Sequence, residues 1–286
     1  MLKNTSIDSL LNRVSVDIDL EIVTVDDINY ENVLQRPKSE LSQWLYCVLH
    51  TGNSNLLTPH TARNDLQPII ADSIQDHTIL VPSTNFAIDN VTYSEVGGVR
   101  INKQSVNNKL ELSSKRPNLT PGFYMFVATN NLSTIRYYVG TDNPEDAIKI
   151  WSATIDKLLK DNVEFSGKVL SSTESYPRND SVVFYSDVNN SEMVQMALLD
   201  VIQDVNPLHT GLVPSPFTKV LYDSLSTAEQ PLDSKGIRQS LGEQRTEILA
   251  ESILDTFTTG LDFEKLLTKR LEIAKVDISD LSKNRY

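Results

Sequence analysis

The chain has 286 residues, of which 40% are hydrophobic and 22% charged, so it holds enough apolar material for a packed core, and a disordered or coiled-coil protein is excluded. Its formal net charge is −12 at pH 7, and no basic segment offsets this charge, which argues against nucleic-acid and membrane-surface binding. The single cysteine, Cys47, excludes a disulfide framework and a cysteine-rich zinc site.

The first part of the chain gives weak structural signals. Apolar residues alternate from Val16 to Ile22, which predicts a short strand, and the apolar spacing after Ser39 predicts a helix over residues 38–50. The following segment, up to residue 118, is rich in Asn, Ser, Thr, Asp and Pro and favours irregular strands and loops. We therefore predict a helical and irregular N-terminal portion over residues 1–118, with peptide or partner docking as its role.

The pattern is sharper from residue 119 onward. Residues 122–128 and 133–139 are strand-like runs joined by an Asn-Asn turn, and they predict a β-hairpin. A helix is then predicted to begin at Pro144, with Asn143 as its N-cap.

Strands and helices continue to the end of the chain. Two more strands are predicted over residues 165–170 and 181–185. Helices are predicted over residues 194–205, over 216–229, after Gly242 and over 262–274. Blocks of strands and helices without strict alternation predict an α+β fold over residues 119–286, with an antiparallel sheet flanked by helices.

Sequence motifs narrow the possible functions. The chain has no phosphate-binding loop, dinucleotide-binding motif, zinc-protease motif or serine-hydrolase motif. Its four histidines form no helical ligand pair, so we expect no metal and no organic cofactor. We also expect a cytoplasmic protein, since the sequence contains no secretory signal and no run of about 18 apolar residues.

Four cations stand at the ends or centres of predicted elements in the second part of the chain. Arg136 and Lys168 lie in strands, Arg178 lies in the Tyr-Pro-Arg turn, and Arg245 lies near the start of a helix. A cation at a helix start opposes the helix dipole, so Arg245 suggests a bound anion. The alternative interpretation is that each of these cations is a solvated or salt-bridged surface charge.

The same residues carry a family likeness. Its segments are Tyr-Pro-Arg-Asn-Asp at 176–180, Pro-Phe-Thr at 216–218, Ala-Glu-Gln-Pro at 228–231 and Ser-Leu-Gly-Glu-Gln-Arg at 240–245, with 121–124 and 136–138 before them. In this order and spacing they resemble the HopA-type family, named after a type III effector of plant-pathogenic bacteria. The likeness spans about residues 121–258. Leu241 departs from it, since the family motif is expected to have Phe there.

This resemblance implies an activity. Relatives of the family occur as stand-alone enzymes in gene clusters for ribosomally made, modified peptides, including class V lanthipeptides and thioamide peptides. There a kinase-like partner enzyme phosphorylates Ser or Thr of a precursor peptide, and the HopA-like protein eliminates the phosphate to leave dehydroalanine or dehydrobutyrine. The resemblance therefore implies a phosphoserine/phosphothreonine lyase that acts on a phosphorylated precursor peptide.

Lyase chemistry assigns roles to the four cations. Elimination needs a base for the Cα proton and neutralisation of the departing phosphate. Lys168 is the expected base, because neighbouring cations favour the neutral form of a lysine. Arg136, Arg178 and Arg245 are expected to clamp the phosphate.

Four other residues complete the expected site. Asp180 would orient Arg178 or Lys168, or it would be a turn residue that bonds its own backbone. Tyr176 or Tyr138 would donate a hydrogen bond or proton to the leaving group. His209 is an alternative general acid, and the competing interpretation places it on the surface of a loop.

Two other functions are also compatible with the sequence. The first is a non-catalytic effector or adaptor that binds a phosphopeptide or a protein partner through the same cations, and as an effector it would be secreted by a type III system. The second is a structural subunit of a peptide-modification complex.

Overall fold

The computed structural model describes residues 5–57, 64–89, 91–207, 212–232 and 239–286. Within these ranges the chain forms seven α-helices. They are Ile7–Leu11 (α1), Lys38–Leu45 (α2), Gln67–Asp72 (α3), Pro144–Lys160 (α4), Ser191–Val205 (α5), Leu241–Thr259 (α6) and Phe263–Ile273 (α7). A π-helical turn over Tyr46–Thr51 extends α2.

The strands fall into two groups along the chain. The first eight are Val14–Asp17 (β1), Ile22–Val25 (β2), Ile28–Glu31 (β3), Thr78–Pro82 (β4), Thr84–Ile88 (β5), Val91–Val96 (β6), Val99–Ile101 (β7) and Lys109–Ser113 (β8). The other seven are Lys115–Thr120 (β9), Phe123–Val127 (β10), Ile135–Thr141 (β11), Ser166–Leu170 (β12), Arg178–Ser186 (β13), Lys219–Tyr222 (β14) and Leu225–Glu229 (β15).

A seven-stranded antiparallel sheet organises the second part of the chain, with strand order β14-β15-β11-β13-β12-β10-β9. Helices α4 and α5 pack on one face against Tyr137, Val182 and Phe184. Helices α2, α6 and α7, with β1–β3, pack around Tyr138 and Val183 on the opposite face, called here the site face. The predicted α+β class, with an antiparallel sheet flanked by helices, is therefore confirmed.

The predicted helix starting at Pro144 is confirmed together with its cap. The Asn143 side chain accepts a hydrogen bond from the backbone N–H of Asp146 at 2.9 Å, which satisfies one of the free donors of the first turn. Trp151 and Ile155 on its apolar stripe are fully buried against the sheet. The predicted helix over 262–274 is also present, as Phe263–Ile273.

The predicted hairpin between residues 122–128 and 133–139 is wrong. Both strands exist, but β10 pairs with β9 and β12, while β11 pairs with β13 and β15. The connection between them crosses past two other strands of the sheet. A turn signal fixes a bend in the chain, but the choice of strand partner depends on burial across the whole sheet.

The predicted helix over 216–229 is also wrong. This segment forms the hairpin of β14 and β15, in which Tyr222 faces Leu225 across a two-residue loop. Apolar residues Leu221, Leu225 and Ala228 have helical spacing, but pairing of β15 with β11 buries Leu225 and Ala228 as a strand. Tertiary pairing therefore overrides local spacing in this segment.

The N-terminal portion is largely strands and short helices. Strands β1–β3 form one antiparallel sheet, β4 pairs with β8, and β5–β7 form a third sheet. Most residues of β4, β5 and β6 are half-exposed or exposed, in agreement with the polar composition of the N-terminal portion. Among the described residues, no helix is both long and apolar enough to cross a membrane.

Candidate active site

Strand register places several of the predicted site residues on the site face. Lys168 of β12 lies opposite Val183 of β13, and Val183 lies opposite Tyr138 of β11. With neighbouring strands about 4.8 Å apart, Lys168 and Tyr138 are roughly 10 Å apart across the sheet. Arg136 lies two residues before Tyr138, so its side chain leaves the same face.

An irregularity in β13 directs Asp180 toward the same face. Between Val139 and Thr141 of β11, the partner on β13 changes from Val182 to Arg178, so three residues of β13 lie opposite one of β11. Strict alternation would place Asp180 beside Val182, on the opposite face. The extra residues of the bulge turn the Asp180 carboxylate to the site face instead.

Asp180 neutralises Arg178 through two parallel hydrogen bonds. Arg178 Nε donates to Asp180 Oδ1 at 2.7 Å, and Arg178 Nη2 donates to Oδ2 at 2.8 Å. Arg178 Nη2 also donates to the Tyr46 hydroxyl at 3.3 Å, and this hydroxyl lies 3.4 Å from Asp180 Oδ2. Burial alone would raise the pKa of Asp180, but Arg178 outweighs burial and holds this pKa well below its usual range.

His50 completes this group, which we call the Asp180 network: Tyr46, His50, Arg178 and Asp180. The buried His50 ring lies 5.2 Å from the Tyr46 ring and 5.5 Å from the Tyr138 ring, and its Nδ1 is 3.2 Å from Ser215 Oγ. Burial lowers the pKa of His50 to about 4, against the attraction of Asp180. The imidazole is therefore neutral at pH 7.

The π-helical turn that carries Tyr46 and His50 is fixed to the start of β13 and to Pro177 just before it. Asn179 Nδ2 donates to the carbonyls of His50 and Val213, at 3.3 and 2.8 Å. Asn53 Nδ2 donates to the carbonyl of Pro177 at 2.9 Å. These bonds tie the N-terminal portion to the turn that holds Arg178.

Gly242, in the first turn of α6, lets that helix approach the Asp180 network. An added Cβ would lie 2.4 Å from His50 Cδ2 and 2.6 Å from Tyr46 Cε2, closer than atoms can pack. The glycine of the Ser-Leu-Gly segment is therefore required by the close approach of α6 to the π-helical turn.

Lys168 is the amine nearest to these groups. Its Nζ lies 3.9 Å from the centre of the Phe123 ring, and Arg178 Cζ lies 5.6 Å from the same ring. Within the described part of the chain, Lys168 makes neither an ion pair nor a side-chain hydrogen bond. Its half-buried amine therefore rests against an aromatic face, with the Arg178 guanidinium near the same ring.

A second group, the Arg245 cluster, consists of Arg136, Tyr138 and Arg245. Arg136 Nε donates to Gln230 Oε1 at 2.6 Å. Arg245 Nε donates to the Leu281 carbonyl at 3.2 Å, and its Nη1 donates to the side chain of Gln244. Both guanidinium groups are buried and both interact electrostatically with Tyr138.

Tyr176 is not brought into these two groups. Tyr176 donates its hydroxyl hydrogen bond to the Leu170 carbonyl at 3.2 Å, and its ring packs with the core beneath α4. His209 lies outside the described residues. Arg136, Tyr138, Lys168, Arg178 and Asp180 do lie together, and the buried His50 interacts electrostatically with Asp180, Arg178, Arg136 and Lys168.

Sequence reasoning did not find Tyr46, His50 or Ser215. Tyr46 and His50 are four residues apart in a predicted helix, so they share one side of it. That spacing was the available signal, but a single histidine in an apolar segment is most often structural. Among the described residues, no group of three or more His, Cys, Asp or Glu side chains could hold a metal ion.

Comparison with known proteins places the chain in a family. The model of the HopA1 effector protein family matches residues 114–282, which is more than half of the chain. The chain belongs to the HopA1 effector protein family. All members of the Arg245 cluster, and Arg178, Asp180 and Lys168, lie in the matched range, whereas Tyr46 and His50 precede it.

Two solved structures of effector proteins from Pseudomonas syringae are similar to the chain. The structure from pathovar tomato strain DC3000 has 21% sequence identity to this chain and a TM-score of 0.42. The match covers 57% of this chain and 63% of that structure's chain. The one from pathovar syringae strain 61 has 14% identity and a TM-score of 0.48, covering 87% of this chain and 97% of that one. No curated protein sequence matches this chain.

Proposed function

We propose that this member of the HopA1 effector family is a lyase that eliminates phosphate from phosphoserine or phosphothreonine of a ribosomally synthesised precursor peptide. The products are dehydroalanine or dehydrobutyrine and inorganic phosphate. The observation that carries the proposal is the convergence of Lys168, Arg136 and Arg178 around His50, with Asp180 as the one carboxylate that pairs with any of these cations among the described residues. A cationic, water-poor surface of this kind suits a substrate that carries a phosphate dianion.

The reaction needs one proton transfer and one bond cleavage. As the proposed base, the Lys168 amine takes the Cα proton, and the electron pair of the Cα–H bond forms the Cα=Cβ double bond. The Cβ–O bond breaks, and the phosphate leaves with the electron pair of the Cβ–O bond, while Lys168 keeps the proton. General-base catalysis of this type contributes about 10²–10⁴-fold.

The remaining groups act on charge and orientation. Arg136, Arg178 and Arg245 are proposed to neutralise the departing phosphate, and Asp180 holds Arg178 in place. Tyr138 is the proposed donor to the leaving group, because its hydroxyl is buried and has no hydrogen-bond partner among the described residues. Tyr176 and His209 remain alternative donors.

The substrate implies a partner. A kinase-like enzyme must supply the phosphorylated precursor peptide, since elimination consumes a phosphate ester. The reaction as written needs no metal and no organic cofactor.

Mass spectrometry of a phosphoserine peptide incubated with the purified protein tests the proposal. We expect the loss of one phosphoric acid per site, and we expect Lys168→Ala to reduce the rate about 10³-fold. Lys149→Ala is the control, because Lys149 lies on the far side of the sheet and pairs with Glu145 on the surface of α4. Unchanged peptide with the wild-type protein would refute the lyase, and full activity of Lys168→Ala would refute the assigned base.

The second candidate is an effector or adaptor that binds a phosphopeptide without cleaving it. The description of the family as effectors supports this function. The same peptide separates the two candidates, since an adaptor binds it and leaves its mass unchanged.

A further inference from the structure

Arg136 and Arg245 differ from Arg178 in having no carboxylate partner. Within the described residues, neither Arg136 nor Arg245 makes an ion pair, whereas Arg178 is paired with Asp180 at 2.7 Å. Only 8% of Arg136 and 1% of Arg245 are exposed to solvent. Glu229 attracts Arg245 electrostatically but lies beyond ion-pair distance. Two buried cations without a bonded counter-charge are costly for the folded state unless an anion joins them.

Unused hydrogen-bond donors lie in the same place. Arg245 Nη2 and the Tyr138 hydroxyl are buried and have no hydrogen-bond partner in the part of the chain that the structure describes. Burial raises the pKa of Tyr138 to about 12, so this hydroxyl keeps its proton. Buried polar groups are nearly always satisfied, so these unused donors indicate that a ligand completes the cluster.

The first turn of α6 is also a candidate place for an anion to bind, because the start of a helix offers free backbone N–H groups. Ser240 accepts a hydrogen bond from the backbone N–H of Glu243, and the Glu243 carboxylate accepts one from the backbone N–H of Ser240. This capping box occupies the backbone N–H groups of Ser240 and Glu243, two of the donors that could otherwise attract an anion. The donors proposed for the Arg245 cluster are therefore its side chains.

The cluster is least buried at Arg136, which keeps 8% exposure against 3% for Tyr138 and 1% for Arg245. Arg136 Nε donates to Gln230, and the Gln230 amide lies 3.5 Å from the Gln239 carbonyl. Both glutamines are partly exposed.

We propose that the Arg245 cluster is an oxyanion subsite that binds a phosphate group, with Arg136 and Arg245 as its counter-charges and the Tyr138 hydroxyl as a further donor. Arg178 is not part of this subsite, because Asp180 already neutralises it. The proposal narrows the expected three-arginine clamp to two arginines. Only the identification of the anion as the substrate's own phosphate rests on the proposed function.

Calorimetric titration of the full chain with inorganic phosphate tests the subsite without any turnover. We expect the wild-type protein to bind phosphate and Tyr138→Phe to weaken binding about 10-fold, as loss of a hydrogen bond to a charged group does. Arg136→Gln is expected to weaken binding about 100-fold, because it removes one of two counter-charges. Tyr137→Phe is the matched control, since Tyr137 lies on the opposite face and donates to the Ser191 carbonyl at 2.7 Å.

The outcomes separate this proposal from the lyase. Phosphate binding that Tyr138→Phe weakens and Tyr137→Phe does not supports the subsite, even if no peptide is ever dehydrated. No phosphate binding by the wild-type protein, or binding that Tyr138→Phe and Arg136→Gln leave intact, overturns the subsite. Because Tyr138→Phe removes only one oxygen atom, it keeps the fold where a change at Arg245 could disturb it.

A competition experiment identifies the source of the phosphate. The Lys168→Ala variant, which is expected not to turn over its substrate, is loaded with inorganic phosphate and titrated with a phosphoserine peptide. Displacement of phosphate supports binding of the substrate's phosphate ester in the Arg245 cluster. Failure of the peptide to displace it overturns that assignment.

Discussion

The two halves of the cationic site treat buried charge in opposite ways. In the Asp180 network, the Arg178 guanidinium donates two hydrogen bonds to the Asp180 carboxylate, at 2.7 and 2.8 Å. The Tyr46 hydroxyl accepts another hydrogen bond from Arg178 and lies beside the same carboxylate. In the Arg245 cluster, two arginines are equally buried without a carboxylate partner among the described residues. Under the subsite proposal, the first half is complete in the free protein and the second half is completed by a ligand.

The largest effect is expected from breaking the complete half. Arg178→Met leaves the Asp180 carboxylate buried without its partner and should lower the free energy of unfolding by about 3–5 kcal/mol. Urea denaturation measures this loss. The double variant Arg178→Met/Asp180→Leu removes both charges and should be more stable than the single variant. If Arg178→Met is as stable as the double variant, or more stable, the interpretation of Arg178 and Asp180 as a charge-neutral pair is contradicted.

A smaller effect is expected at His50, whose ring touches both halves. Burial lowers the pKa of His50 to about 4 from 6.5, so the unfolded chain takes up the proton first as the pH falls. Stability is therefore complete above pH 6.5 and declines between pH 6.5 and about 4, by roughly 3 kcal/mol in total. Thermal denaturation across this range should show the decline in the wild-type protein and a flatter profile in His50→Asn.

The control for this pH effect is His77→Asn. His77 lies far from both halves, with its Nδ1 2.7 Å from Ser114 Oγ. This variant should keep the wild-type slope between pH 6.5 and 4. An unchanged slope in His50→Asn would assign the pH dependence to other groups.

Gly242 lets α6 approach the Asp180 network closely, and its substitution should cost about 2 kcal/mol. In Gly242→Ala the new methyl group meets His50 and Tyr46 at less than 3 Å, so α6 or the π-helical turn must move. Gly260→Ala at the other end of α6 is the matched control, because no atom lies within 4 Å of its added Cβ and only its φ of +68° is strained. We expect the control to cost about 1 kcal/mol. Equal melting temperatures for the two variants would contradict the close approach.

How far the sequence predicts this site depends on distance along the chain. The helix starting at Pro144 and its Asn143 cap follow from neighbouring residues, and the structure has both. Arg178 and Asp180 were found because they lie two residues apart in one motif. Tyr46 and His50 were not found, because they are some 130 residues from Asp180 and only the folded chain brings them together.

Face assignments fail where a strand is irregular. Strict alternation along β13 places Asp180 on the face of Val182, and only the bulge opposite Val139–Thr141 turns its carboxylate to the site face. The charge of Arg245 had a local signal, since it opposes the dipole of α6. Its partners Arg136 and Tyr138 come from another strand, so the cluster itself could not be derived from local pattern.

The smallest effect is expected from Arg245→Met, and it tests the incomplete half directly. Burial lowers the pKa of Arg245 to about 10, which corresponds to roughly 3 kcal/mol of unfavourable desolvation. Removing the charge relieves this cost but also removes the hydrogen bonds to Leu281 and Gln244, which together contribute a similar amount. Without phosphate, the free energy of unfolding of the variant should therefore differ from that of the wild-type protein by less than about 1 kcal/mol. At a phosphate concentration of about 100 times Kd, the free energy of unfolding of the wild-type protein should rise by about 3 kcal/mol, and that of the variant should not. Urea denaturation with and without phosphate measures both changes in the free energy of unfolding. A large loss of stability without phosphate would mean that Arg245 is a structural residue, complete in the free protein like Arg178.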